Sequence, residues 1–185
     1  MVGSVKDPHS GYKTRSKATL KEKIRIRMSK LVNKPTKSRP MANFVIRALK
    51  CSDAPRVAEL TVQLGYRADV HQVRVRLDKL EKEAAHHVIG VEAQRVLVAF
   101  AHFFERPSIE KGSDMIVQSL VVDDELRGSG IGRMLIEQIE HIARSKNCDS
   151  VTLSSQGSRS DAHEFYKRLG YELSTTSNVF LKRLM

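Results

Sequence analysis

Cysteine is nearly absent from this chain: Cys51 and Cys148 are the only two among 185 residues, and neither has a metal-like or redox-like spacing. A disulfide scaffold and a zinc site are therefore without support, and both residues read as reduced, buried thiols. Long apolar runs are missing too. No stretch approaches the roughly 20 apolar residues that cross a bilayer as a helix, and no apolar signal-peptide core follows the polar, basic first residues. These absences lead to the expectation of a soluble, cytoplasmic protein with no membrane span. With 41% hydrophobic residues, the chain has material for one cored domain and some excess.

Acidic residues are scarce in one place only. Residues 1–42 hold 12 Lys+Arg against Asp7 and Glu22, a net +10 of the chain's formal +11, and residues 43–185 are left at +1. The division expected is a basic, flexible and disordered tail at 1–42 and a folded domain at 43–185. The tail is punctuated by Pro8, Pro35 and Pro40 and has too few large apolar residues to offset the entropy of ordering it. Leu20, Ile24, Met28 and Leu31 fall at helical spacing among lysines and arginines, as in a short basic amphipathic helix, but Ile24, Ile26 and Met28 alternate as a strand would. Three roles fit the tail, in this order: solvated disorder or an extension upstream of a start at Met41, organelle targeting, and binding of nucleic acid or anionic lipid. Nucleic acid is expected as a partner only through this tail.

From Asn43 the texture becomes alternating apolar segments and turn signals. Phe44–Leu49 reads as a strand. Ser52 or Asp53 can cap a helix with Pro55 in its first turn and Val57, Leu60 and Leu64 on its apolar stripe. A second helix runs from about Val70 to Glu83. Val88–Val91 and Val96–Phe104 are strands joined by a turn at Glu92–Gln94, and Met115–Val122 is a strand apolar enough to be covered on both faces. Ile131, Leu135, Ile139 and Ile142 mark an amphipathic helix. Val151–Leu153 is a short strand, Asp161 with Glu164 can cap a last helix that Gly170 stops, and Val179–Leu181 closes the chain as a strand. The order predicts an α/β fold with a mixed sheet.

The segment Ser119–Gly132, SLVVDDELRGSGIG, carries the most chemical information: a buried strand, an acidic bend, then glycines opening a helix. Free N–H groups in a helix's first turn, together with its dipole, favour an anion, and glycines let a polyanion approach the backbone. Arg127 and Arg133 add positive charge. A P-loop requires a Lys after its glycines, and none follows here. The dinucleotide pattern G-x-G-x-x-G fails because Gly128, Gly130 and Gly132 are spaced G-x-G-x-G. Arg127, Gly130 and Gly132 fit [Q/R]-x-x-G-x-[G/A]. The competing reading is an ordinary strand-to-helix loop.

With that turn and with Arg159–Tyr171, RSDAHEFYKRLGY, the chain resembles the GNAT family of acyl-coenzyme A N-acyltransferases from about Asn43 onward. Leu64–Tyr66 (LGY) and the opening FVIRALKCSDAPRVAEL are also GNAT-like. The resemblance implies a mostly antiparallel GNAT-like sheet flanked by helices and acetyl-CoA as cosubstrate, with no metal. It implies that Arg127, Gly128, Ser129, Gly130, Ile131, Gly132 and Arg133 hold the pyrophosphate. A splayed strand at Leu120, Val121 and Val122 would pair with the pantetheine arm and the thioester oxygen, and Tyr166 would protonate the departing thiolate. Arg159 stands where many members have Asn in contact with the pantetheine arm, and no Glu stands near Ile116, where many have their base.

The implied reaction is acetyl transfer to a primary amine of a small molecule or peptide. Such an amine has a reference pKa of about 10.4 and must lose a proton before it attacks. Attack yields an oxyanion that a backbone N–H at Val121 or Val122 can stabilise, and one such donor is typically worth about 3 kcal/mol. Tyr166 also reads as a core residue, since it shares a stripe with Ala162, Phe165 and Leu169. Water, Glu105, Glu110 and the substrate's own equilibrium are the alternatives for proton removal. His86, His87, His102 and His163 lack ligand spacing; His86 and His87 read as an exposed strand start and His163 as a helix-surface residue near the cofactor. The rival function is a catalytically weak acyl-CoA-binding or partner-binding module. A monomer or a homodimer is expected. Acceptor choice is expected from the two early helices and from the loop at Arg106–Asp114.

Overall fold

The computed structural model describes residues 44–175 and 179–184. The basic segment and its candidate amphipathic helix lie outside them. In chain order the elements are β1 (Phe44–Ala48), a 3-10 turn (Cys51–Asp53), α1 (Ala54–Gln63), α2 (Val70–Glu81), β2 (His86–Ala93), β3 (Val96–Arg106), β4 (Asp114–Val122), a 3-10 turn (Asp124–Leu126), α3 (Ile131–Ser145), β5 (Ser150–Leu153) and α4 (Ser160–Arg168). The five strands form one sheet in sequence order, antiparallel except for the parallel pair β4–β5. That parallel step follows from α3, whose length carries the chain back to the starting end of β4.

α1 and α3 bury most of the stripe their sequence announces, α2 buries Val73 and Leu77 but leaves Val75 exposed, and the stripe of α4 is only half-buried. On α3, Ile131, Leu135, Ile136, Ile139 and Ala143 are buried, and the helix packs on β3 and β4. A second core cluster joins Ala54, Val57, Ala58 and Leu60 of α1 and Val73 and Leu77 of α2 to Leu97, Phe100 and Val121 of the sheet. Burying one such Leu, Val or Phe is worth about 1.5–3 kcal/mol. Gly90 is needed for close packing: a Cβ there would run into Leu97 Cδ1 and lie 2.6 Å from Leu49 Cδ2.

Several local expectations shift. The β2–β3 turn falls at Gln94 and Arg95, both with positive φ (50° and 65°), because Ala93 and Val96 still pair as strand residues. A turn with both central residues left-handed matches strand twist. Asp53 does not cap α1. Its carboxylate accepts from Lys50 N–H at 2.8 Å and from both terminal nitrogens of Arg47, tying the 3-10 turn to β1. Asp69 instead caps α2 by accepting from Gln72 N–H at 3.0 Å. The capping box at Asp161 is absent, because the cap position falls two residues earlier, at Arg159, and Glu164 reaches forward to Lys167 Nζ at 3.1 Å.

Val179–Leu181 is not a strand. The three residues are 92%, 92% and 80% exposed and carry no regular structure, since strand propensity yields a strand only where an edge is reached. Cys51 and Cys148 are free thiols, half-buried and not fully enclosed.

Candidate active site

The site begins where β4 parts from β5. Their parallel pairing runs from Asp114↔Ser150 to Val117↔Leu153 and ends there, while β4 continues beside β3 as far as Ala99↔Val122. A register shift sets this exit: Phe103 faces Val117 but His102 faces Ser119, so Gln118 is an extra residue in β4. Such a bulge bends the strand that carries it. Beyond it, alternate residues among Gln118–Val122 turn their N–H and C=O groups to a side with no strand. A cleft of about 1010 Å³ opens there, at the upper end of the roughly 300–1,000 Å³ of small-molecule sites.

The floor of the cleft at the end of β4 is the glycine turn. Gly128 and Gly130 have φ of 78° and 92°, a left-handed conformation costly to any side chain, and a Cβ on either would meet open space. Gly130 is the residue before α3, and the first bond of that helix is Met134 N–H to Gly130 O at 3.0 Å. The N–H groups of Ile131, Gly132 and Arg133 therefore have no helical acceptor. They face the open end of a 15-residue helix dipole, with Arg127 beside them. Gly132 lets α4 sit close, since a Cβ there would be 3.2 Å from the Phe165 ring.

Three contacts fasten α1 and its end to this cradle. Arg56, buried on the apolar side of α1, pairs with buried Asp123 and donates from Nε to Leu97 O at 2.9 Å. Asp123 in turn accepts from Glu125 N–H at 3.1 Å and so shapes the bend before the glycines. Gln63 Oε1 accepts from Asp124 N–H at 2.9 Å. Arg159, at the start of α4, donates to Leu64 O at 2.7 Å and bridges the cleft from one wall to the other.

Tyr166 lines the same cleft. Burial pushes its phenol above the usual tyrosine range, and the Arg159 guanidinium pulls it partway back, so the group keeps its proton at neutral pH. Its ring packs edge-on against Phe165 at 5.1 Å and Tyr171 at 5.9 Å. The two tyrosines differ. Tyr171 donates to Glu140 Oε1 at 3.2 Å, whereas no hydrogen bond acts on the Tyr166 phenol among the described residues.

Leu120, Val121, Val122, Arg127, Gly128, Gly130, Gly132, Arg133, Arg159 and Tyr166 thus share one cleft. Two of the expected contacts do not line it. Ile131 is 1% exposed, its side chain committed to the core, and it offers only its N–H. Ser129 turns its hydroxyl back to Leu126 O at 2.6 Å. The loop at Arg106–Asp114 lies at the other end of β4, about 3.4 Å per residue away from the cleft. Glu105 is there too, bound to Lys146 at 2.5 Å, and Glu110 accepts from Ser108 at 2.5 Å; neither reaches the cleft. His86 and His87 are half-buried, with rings stacked on Phe104 and Phe103, not an exposed strand start. Sequence reasoning missed Arg56, Gln63 and Tyr66. A cation on the apolar stripe of α1 was the one signal for the first.

A sheet split beside an anion-binding helix start, with a protonated phenol in the gap, has the form of an acyltransferase site. The chain belongs to the acetyltransferase (GNAT) family, whose model matches residues 49–171, and it is an acyltransferase. It is 27% identical over 122 residues to an uncharacterized N-acetyltransferase, YhdJ, of Bacillus subtilis (strain 168), covering 65% of this chain and 83% of the relative. It is 29% identical over 106 residues to the glucosamine 6-phosphate N-acetyltransferase of Trypanosoma brucei brucei, covering 56% of this chain and 67% of that one. An aminoglycoside N-acetyltransferase solved in complex with CoA shares its fold at a TM-score of 0.71 and 14% identity, over 80% of this chain and all of that one. Among the described residues no helix is long and apolar enough to cross a membrane.

Proposed function

We propose that this GNAT-type N-acetyltransferase moves the acetyl group of acetyl-CoA to a primary amine of a small molecule or peptide within the cleft between β4 and α4. The carrying observation is the coincidence of the split after Val117↔Leu153 with the unpaired N–H groups at the start of α3. A long, jointed ligand with a pyrophosphate needs both: a strand edge for its amide-bearing arm and a positive turn for its phosphates. Acetyl-CoA supplies an activated thioester. The open space above Gly128 and Gly130 fits its phosphates, which Arg127 and Arg133 neutralise.

The chain's own residues then do the following. Backbone N–H groups among Leu120, Val121 and Val122 orient the thioester and stabilise negative charge on its oxygen, a contribution of about 3 kcal/mol per donor. Tyr166, protonated at neutral pH, gives its proton to the leaving sulfur. Arg159 takes the place of a smaller polar contact to the arm, and its bond to Leu64 O holds the two cleft walls together. Tyr66, 60% exposed at the cleft, lies on the acceptor side with Gln63 and Gly65.

The test is calorimetry with CoA, followed by thiol release with acetyl-CoA across glucosamine 6-phosphate, aminoglycosides, polyamines, amino acids and peptide N-termini. Heat on CoA binding and thiol release that depends on one amine class are expected. Tight CoA binding with no amine-dependent release identifies a binding module instead, and absence of CoA heat overturns the cradle.

A further inference from the structure

Acetyl transfer as described leaves the ammonium proton without a destination. The carboxylates suggested by sequence lie at the closed end of β4, whereas His102 stands at the bulge and His86, level with Ile116, leads from it toward that closed end. His102 on β3 stands directly across from Ser119 on β4, and Ser119 lines the cleft at the bulge. Side chains so paired share a face, with Cβ atoms about 4.5–5.5 Å apart. Behind His102, on β2, His86 places its Nδ1 2.9 Å from His102 Nε2, with the two rings stacked at 5.2 Å. Phe104 stacks on His86 at 4.8 Å and fixes that ring. A row of three polar side chains thus crosses three strands, beginning at the cleft; His86 and His102 are hydrogen-bonded, whereas Ser119 Oγ is only placed beside His102 by register and must turn toward the ring to close the first link.

We propose that Ser119, His102 and His86 form a relay that removes the proton from the acceptor ammonium, an inference that rests on the acetyltransferase reading of the cleft. The ammonium N–H passes its proton to Ser119 Oγ as the Ser119 hydroxyl proton moves to His102 Nδ1. His102 Nε2–H passes to His86 Nδ1, and His86 releases its Nε2 proton to solvent. One N–H bond of the acceptor is broken and one O–H bond is formed in water; the nitrogen keeps the electron pair with which it attacks.

The surroundings of His102 keep it uncharged. Burial and the adjacent His86 pull its imidazole down to about 4, so the ring is neutral with one lone pair at any working pH. The groups facing it are Val88 directly across on β2 with His86 on the diagonal, uncharged Ser119 from β4 and apolar Phe100 and Phe104 on its own strand. Among the described residues no carboxylate or cation of α1 or α2 acts on it. A ring this weakly basic does not hold a second proton, so it can gain one at Nδ1 only as it loses one from Nε2. The bond to His86 provides that path, so His102 and His86 act through Ser119 as positioning residues of the proton step.

The test uses the full chain, 15N-histidine labelled, and the variants Ser119→Ala, His102→Gln and His86→Asn. Spectra of the free protein should show His102 neutral, as the Nε2–H tautomer, down to about pH 5. A ring that titrates near the ordinary value of about 6.5 or carries its proton on Nδ1 overturns the relay without any turnover being measured. Kinetically, each variant should lose about tenfold in acetylation rate at pH 7 while keeping CoA heat, and the deficit should close as pH rises toward the amine's own pKa. An equal deficit at every pH signals a merely structural role and overturns the relay, as does an unchanged rate. Ser119→Ala removes only a hydroxyl and guards against misfolding of the histidine variants. Wild-type protein that gives no CoA heat, or no thiol release with any amine, sinks the acetyltransferase reading itself, a result distinct from a failed relay.

Discussion

The two ends of β4 are built from the same strand and do opposite things. At its start Asp114 is buried and fully engaged: Oδ1 accepts from Ser150 Oγ at 2.6 Å and Oδ2 from Arg106 at 3.0 Å, with Lys111 Nζ 3.4 Å away. Hydrogen bonds to β3 and β5 close both edges there. At its finish β5 no longer pairs with it, and the chain enters a glycine turn where a Cβ at Gly128 or Gly130 would meet nothing within 4 Å. Bonding is completed where the strand supports the sheet and left unfinished where a ligand can complete it.

The largest effect should come from the one strong interaction at the open end. Arg56→Met leaves the Asp123 carboxylate buried and unpaired, which costs about 3–5 kcal/mol; a fall in urea midpoint together with weakened CoA binding is expected. A variant with wild-type stability would show that the pair is incidental to the cradle. Next, Gly130→Val forces a β-branched residue into a left-handed conformation at φ 92° and blocks the approach to the helix start. With about 1–2 kcal/mol of strain alone, CoA affinity should drop at least about tenfold by calorimetry.

Tyr166→Phe keeps the ring packing and removes the proton donor. The expected result is a turnover lowered about tenfold, or about 1.4 kcal/mol of barrier, at unchanged CoA affinity. Wild-type turnover would return Tyr166 to the core residues. The closed end gives the smallest effect and the cleanest contrast. The Ser150 hydroxyl and the Arg106 guanidinium hold the Asp114 carboxyl below the usual carboxylate range. A carboxyl lowered on folding contributes stability that is present above its unfolded pKa of about 3.9 and is lost as pH falls through that region. Asp114→Asn should therefore flatten the acid arm of the stability–pH curve and leave CoA affinity untouched. A changed CoA affinity would mean that the two ends are coupled.

Much of this was readable in the primary chain because it depends on short-range rules. Ile131, Leu135 and Ile139 announce α3 by period alone. Gly128, Gly130 and Gly132 with Arg127 announce an anion turn, since glycines clustered just ahead of an apolar helical stripe leave the helix start bare of side chains. The Phe165–Tyr166 pair was legible as well, by its likeness to a family pattern. Element ends were less so: β2 reaches two residues further at each end and β3 two further at its finish, because pairing with neighbouring strands carries polar residues along, Glu92 beside the Gln94–Arg95 turn and Glu105 and Arg106 against β4.

The amino-acid sequence by itself determined which segments are helix or strand and where an anion can sit, because periodicity, glycine and helix dipoles act within a few residues. Only the tertiary structure decided which polar groups meet. Arg56 and Asp123 are 67 positions apart, Arg159 and Leu64 are 95 apart, and His86 finds His102 through strand register. It also decided that the terminal residues Val179–Leu181 reach no sheet edge. Such meetings follow from how sheet and helices pack around a shared core, and no local pattern encodes that.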